Sequence, residues 1–144
     1  MTSTLLEPTP STTERSVDLA ALRAFYDRGD EVVLADPELV TWHEQLLRAL
    51  ESGAIRAAVP DDSETGWRAE AWIKRAILIG FRAFPTEPVD GWGAATFDRG
   101  AYLPRHLTLD DGVRLVPGGS AVRRGAHVAS GVVVMPPAYI NVGA

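Results

Sequence analysis

The 144 residues include no cysteine, so any chemistry must come from groups other than thiols, with the carboxylates, imidazoles and guanidinium groups the first candidates. That composition removes thiol nucleophiles, disulfides and Cys-ligated metals, and it fits a cytoplasmic protein. Two adjacent acid pairs, Asp61-Asp62 and Asp110-Asp111, have the residue types of an acid–base couple. Adjacent acids followed by Ser63 or Gly112 more often close turns, because the short carboxylate bonds to backbone two residues on, and the turn reading is favoured for both. The histidines, His43, His106 and His127, lie 63 and 21 residues apart. That is not a metal-ligand spacing, and no metal is expected. His43 is read as a partly buried helix residue, and His127 as a turn residue facing solvent. The Arg123-Arg124 pair is either a solvated surface or an anion contact, and the pair alone does not decide which. No G-x-S-x-G, phosphate-binding loop, G-x-G-x-x-G or H-E-x-x-H signature occurs.

The elements that must carry these residues are set by periodicity and caps. Residues 1–15, MTSTLLEPTPSTTER, have the Ser/Thr/Pro content of a disordered tail and neither the basic start nor the long apolar stretch of a leader peptide. Ser16 is a candidate cap for a helix over 16–28, with Leu19, Leu22, Phe25 and Tyr26 as its apolar stripe. Residues 31–35 (EVVLA) read as a short extended link or strand. Asp36-Pro37-Glu38 supplies a cap, a proline and an acidic first turn for a second helix ending at Gly53. A hairpin is expected over 54–69, then a helix over 70–81 whose apolar face makes it the centre of the N-terminal core. The Gly- and Pro-rich stretch 84–106 reads as an ordered loop packed by Trp92, Phe97 and Tyr102. Residues 107–115 suggest a hairpin-like approach to the C-terminal segment that begins at Val116.

From Val116 onward the chain falls into sixes. A branched aliphatic heads each one (Val116, Val122, Val128, Val134, Ile140), with Ser120, Ala126, Val132, Ala138 and Ala144 four places later. Period six fits neither a helix nor a lone strand. It fits a parallel β-helix, left-handed and triangular in section, that turns a corner every six residues. The fold class expected is thus an α/β N-terminal domain over 16–106, a junction over 107–115, and the truncated start of a left-handed parallel β-helix over 116–144. A net charge of −5 and the lack of a basic stripe argue against nucleic acid. No apolar run reaches the ~20 residues of a membrane span.

Residues across about a hundred positions resemble the tetrahydrodipicolinate N-succinyltransferases of lysine and diaminopimelate biosynthesis. Leu50-Glu-Ser-Gly53-Ala-Ile-Arg56-Ala-Ala is similar to that family's L-D-S-G-x-L-R-V-A. Gly66-Trp67 and Ala71-Trp72-Ile73-Lys74-Arg75-Ala76-Ile77-Leu78 resemble its G-x-W turn and Q-W-L-K-K-A-V-L-L helix, and Phe81-Arg82 and Phe97-Asp98-Arg99 its S-F-R and F-D-K. Val113-Arg114-Leu115-Val116-Pro117 resembles F-R-V-V-P, and Val122-Arg123-Arg124-Gly125-Ala126 resembles V-R-x-G-A. Val134-Met135-Pro136, then Tyr139-Ile140-Asn141-Val142-Gly143-Ala144, resembles V-L-M-P-x-Y-V-N-I-G-A. This sequence is one residue longer than the family pattern between Pro117 and Val122, and again between Pro136 and Tyr139.

The resemblance implies an α/β domain ahead of a β-helix, a homotrimer, and a site between subunits that uses succinyl-CoA as co-substrate with no tightly bound cofactor. It implies that Arg114 binds a substrate carboxylate, with a salt-bridged Arg114 at the domain junction as the structural alternative. The family's catalytic aspartate lies a dozen or so residues beyond the N-x-G-A segment, so 1–144 is expected to be inactive alone and to fray from Val122 onward. A non-catalytic module pairing with a separate C-terminal half, or another hexapeptide-repeat acyltransferase, are the alternatives.

Overall fold

Asp18 starts the first helix: its carboxylate accepts from the amides of Ala20 and Ala21, at 3.1 and 3.0 Å, which lack partners within the helix. The computed structural model describes residues 17–89 and 96–144. The tail assigned to residues 1–15, the Ser16 cap and Trp92 lie outside the described residues. Among the described residues four α-helices form: α1 (Leu19–Tyr26), α2 (Asp30–Leu34), α3 (Leu39–Glu51) and α4 (Ala71–Ala83). The expected helices over 16–28, 36–53 and 70–81 are α1, α3 and α4, with shifted ends.

The short extended link expected over 31–35 is instead α2. Two valines favour a strand, but the carboxylates of Asp30 and Glu31 sit in the first turn of a helix and pair with Arg75 and Arg82 of α4. The Nη2 of Arg75 also donates to the carbonyl of Tyr26 at 2.6 Å. Tertiary contacts thus override a weak local preference.

α1, α3 and α4 bury one core among them. Leu22, Leu46, Leu47, Ile73 and Ile79 are essentially sealed from water, each contributing roughly 1.5–3 kcal/mol of transfer free energy. Tyr102 enters the same core from a 3₁₀ turn (Gly100–Tyr102) and donates its hydroxyl to the carbonyl of Ile77 at 2.6 Å. Gly80 is where α4, α3 and Tyr102 meet. A Cβ there would collide with the Tyr102 hydroxyl and the His43 ring, so only glycine allows the approach.

The expected hairpin forms from β1 (Ala58–Pro60) and β2 (Trp67–Ala69). Residues 84–106 are not simply a loop. They contain an antiparallel pair, β3 (Thr86–Val89) and β4 (Thr96–Arg99), with Glu87 opposite Asp98 and Pro88 opposite Phe97. Proline and glycine in this stretch conceal the strand pattern, and a two-stranded ribbon leaves a free side where Pro88 lacks no bond. Nor is Phe97 a packing residue, since 66 % of its surface is exposed.

Residues 107–115 are not a hairpin either. A 3₁₀ turn (Leu109–Asp111) leads into β5 (Arg114–Leu115), which pairs in parallel with β7 (Val133–Val134). β6 (Ala121–Val122) likewise pairs in parallel with β8 (Tyr139–Ile140). Val122 sits beside Ile140, the eighteen-residue spacing of three hexads, but Leu115 rather than Val116 sits beside Val134. The expected frame starting at Val116 is therefore one residue out in its first hexad. The surplus residue lies between Val116 and Val122, where Gly118 and Gly119 both take positive φ and a Cβ on Gly118 would come within 2.7 Å of Pro136. No helix among the described residues is long and apolar enough to cross a membrane.

Candidate functional site

Three arginines lie on or beside the short parallel strands, and their surroundings differ. Arg114 lies on β5 with its side chain in solvent, held only through the backbone: its amide donates to the carbonyl of Val132 at 3.0 Å. Its guanidinium has no ion pair or hydrogen bond among the described residues. A planar donor fork that is exposed and uncommitted can take a carboxylate through two parallel bonds.

Arg123 is committed. It forms a two-pronged pair with Asp98 of β4, the Nε arm at 2.9 Å, and its Nη1 donates to the Asn141 side-chain oxygen at 3.0 Å. The guanidinium also lies 5.3 Å from the Phe81 ring centre and 5.9 Å from those of Tyr102 and Tyr139, a stabilising electrostatic arrangement. It forms part of the wall of a cleft of about 180 Å³ together with Val89, Thr96, Phe97, Ala121 and Tyr139. The cleft is mostly apolar, and Arg123, its one cation among the described residues, is already neutralised.

Arg124 is committed to the helices. It places Nη1 and Nη2 on the two carboxylate oxygens of Glu44, at 2.8 and 2.9 Å, and Nε 3.4 Å from Glu51. The Arg124 hydrogen bonds hold Glu44 down to about 2, against the opposing effect of burial. Glu51 also accepts from the amide of Gly125 at 2.8 Å, and its backbone carbonyl meets Nδ1 of His127 at 2.9 Å. His127 is consequently half-buried rather than facing solvent, and the pair at 123–124 is neither a solvated surface nor an open anion contact. Both arginines are internal clamps, Arg123 to β4 and Arg124 to α3.

A second cavity, of about 220 Å³, opens beside this clamp between Val40, His43, Glu44, Leu47, Phe84, Glu87 and Arg124. His43 is fully buried rather than partly so. It shares a 2.9 Å hydrogen bond with the Tyr26 hydroxyl through Nδ1, while its Nε2 has no partner among the described residues. Burial pushes its pKa down to about 4, with nearby Arg124 acting in the same direction and Glu44 against it. The imidazole is therefore neutral and structural at neutral pH. Burial likewise pushes the hydroxyls of Tyr26 and Tyr102 up, leaving both un-ionised.

Both acid pairs close turns. Asp61 accepts from the Ser63 amide at 3.0 Å, and Asp111 accepts from the Thr108 amide at 2.7 Å in a reciprocal cap. No group of three His, Asp or Glu among the described residues could hold a metal ion. Nothing in the sequence pairs Asp98, Glu44 or Glu51 with Arg123 or Arg124. Asp98 is visible inside the F-D-R motif, but no spacing along the chain connects it to Arg123.

A chain with a helical core, a small hairpin and a run of short parallel pairs entered through an exposed arginine is an α/β domain leading into a stack of strands. Residues 21–83 match the family model described as tetrahydrodipicolinate N-succinyltransferase N-terminal. The chain is 34 % identical over 125 residues to the 2,3,4,5-tetrahydropyridine-2,6-dicarboxylate N-succinyltransferase of Escherichia coli O6:H1, covering 83 % of this chain and 44 % of that protein. It is 33 % identical over 117 residues to the Legionella pneumophila enzyme of the same name, covering 76 % and 40 %. It is 40 % identical over 100 residues to that of Granulibacter bethesdensis, covering 64 % and 34 %. The chain thus matches the N-terminal portion of the tetrahydrodipicolinate N-succinyltransferases. It spans less than half the length of these relatives.

Proposed function

We propose that this chain forms the N-terminal part of an acyltransferase that moves a succinyl group from succinyl-CoA to the amine of ring-opened tetrahydrodipicolinate, in the cytoplasm, on the way to diaminopimelate and lysine. In that reaction the amine nitrogen attacks the thioester carbonyl, a C–N bond forms, the C–S bond breaks, and the amine proton leaves with the CoA thiol. Within this chain Arg114 binds one substrate carboxylate. The proton-transferring carboxylate and the acyl-donor groove are assigned to none of residues 1–144. The parallel pairs from Arg114 onward are the first coils of a left-handed β-helix, and the assembled protein is a homotrimer with its sites between subunits.

The observation that carries this reading is collinear similarity to relatives named for one activity, running from the helical core into the parallel strands. The exposed, unpaired Arg114 supports the substrate role, since a dicarboxylate needs a cation that no internal partner has neutralised. Calorimetric titration with pyridine-2,6-dicarboxylate, a planar stand-in for the substrate, tests it. Losing a charge-assisted bond costs about 1.5–3 kcal/mol, so Arg114→Ala is expected to weaken binding roughly 10- to 100-fold. Arg114→Lys is expected to recover little of it, because an ammonium lacks the fork. Undiminished binding by Arg114→Ala sinks the site assignment. Joining residues 1–144 to the C-terminal part of the Escherichia coli relative tests the activity: the chimera should transfer succinyl, and Arg114→Ala should abolish the transfer.

A further inference from the structure

The two-residue strand carrying Arg114 is too short to hold a side chain in place by itself, and the structure shows what holds it. Arg105 and Asp111 form an ion pair at 2.6 Å with side chains only 18 % and 21 % exposed. Arg105 is anchored on the opposite side as well. Its amide donates to the carbonyl of Val122 at 2.7 Å and its Nη1 to the carbonyl of Ala126 at 3.1 Å. Asp111 places its second oxygen on Thr108, accepting from the amide at 2.7 Å and from the hydroxyl at 3.1 Å.

The turn so tied ends at Gly112, whose φ of +65° reverses the chain and whose missing Cβ leaves room for the Ser130 hydroxyl. The Gly112 carbonyl accepts from the amide of Gly131 at 2.9 Å, and two residues later the Arg114 amide reaches Val132 at 3.0 Å. One continuous path of bonds thus runs from the corner at Val122 and Ala126, through Arg105 and Asp111, to the backbone of Arg114.

We propose that Arg105 and Asp111 are positioning residues for Arg114: their anchored ion pair fixes the 108–112 turn and so sets where the Arg114 guanidinium meets a substrate carboxylate. This rests on the reading of Arg114 as the carboxylate-binding residue. The pair touches no substrate itself. Its effect is geometric, and displacement of a binding group by about 1 Å is enough to cost up to ~100-fold in a preorganised site. A residue that merely stabilises the fold would lower the melting temperature without changing which ligand is preferred.

The test uses residues 1–144 with two ligands, pyridine-2,6-dicarboxylate and pyridine-2-carboxylate, and amide hydrogen exchange read by NMR. Asp111→Asn is expected to weaken the dicarboxylate about tenfold, leave the monocarboxylate nearly unchanged, and speed exchange at the Arg114 amide while α3 amides stay protected. Arg105→Lys keeps the charge but loses the fork to Ala126, and should give a smaller loss of the same kind. It also serves as the second variant if Asp111→Asn does not fold. Equal weakening of both ligands, or no change in the dicarboxylate preference and in Arg114 exchange, overturns the positioning role while the Arg114 site stands. If the unsubstituted chain binds neither ligand, or Arg114→Ala binds as well as it does, the site reading itself falls and takes this inference with it.

Discussion

The helical core and the parallel strands of 114–144 are held together by different physics. In the core, α1, α3 and α4 exclude water from a continuous set of side chains, from Leu22 to Ile79. In the strand region only Val122, Ala126 and Val134 are buried aliphatics, and each parallel pair is two residues long. What fastens that region, besides Val142 packed against the core, is a set of charged clamps: Arg123 to Asp98, Arg124 to Glu44 and Glu51, and Arg105 to Asp111. A stack of short strands can thus be seated by specific bonds to a core formed elsewhere. Its edges also differ from the core in being open, since Leu115, Val133, Met135 and Tyr139 all remain exposed.

The contrast can be broken most strongly from the core side. Leu46→Ala is expected to cost about 2–5 kcal/mol through lost transfer energy plus the cavity left behind, read as a lower urea midpoint. Both regions should then unfold together. If the strand region keeps its protection after the core is lost, the strands do not depend on the helices.

A proton should act on the core next. His43 is neutral in the folded protein with its pKa near 4, whereas an unfolded histidine titrates near 6.5. Between those values the unfolded state holds the extra proton, so stability falls as pH drops from about 6.5 toward 4, by at most ~1.4 kcal/mol per pH unit. His43→Phe should flatten that part of the pH–stability curve. A slope as steep as in the unsubstituted protein would assign the effect to another group.

The clamps come third. Arg124→Ala removes two charge-assisted bonds to Glu44, expected to cost about 1.5–3 kcal/mol, and it should act mainly on the strand region. Limited proteolysis is the sensitive readout, with faster cleavage beyond Val122 and little change within α4. Acid should mimic it: Glu44 has a folded pKa of about 2, so its contribution is present above the unfolded carboxylate range and is lost as pH falls through that range toward 2. The smallest effect is expected at Arg48, whose exposed pair with Glu44 spans one helical turn. Arg48→Ala should change stability by only about 0.3–0.5 kcal/mol, and a loss as large as that of Arg124→Ala would show that exposure does not separate the two clamps.

Legibility tracks the range of the interactions. α1, α3, α4 and the β1–β2 hairpin are readable because their caps, stripes and turns are local. The segment 31–35 reads as extended because its helical state depends on Arg75 and Arg82, more than forty residues away. The β3–β4 ribbon is hidden because Pro88 and the exposed Phe97 break the alternation by which strands are recognised. The frame at Val116 slips by one because periodicity cannot tell whether a surplus glycine is absorbed inside a turn, whereas the pairing of Leu115 with Val134 can. For the candidate site, the motif around Arg114 is legible, but not that its guanidinium is exposed and has no partner among the described residues while those of Arg123 and Arg124 are bound.

The sequence by itself carried the family resemblance, the helical core and the six-residue repeat, because these rest on local spacing and on residue types kept in order along the chain. Only the tertiary structure decided which of Arg114, Arg123 and Arg124 has no partner among the described residues. Three guanidinium groups within eleven residues are chemically alike, and their roles separate only when the fold brings Asp98 to Arg123, brings Glu44 and Glu51 to Arg124, and leaves Arg114 at the strand edge in water.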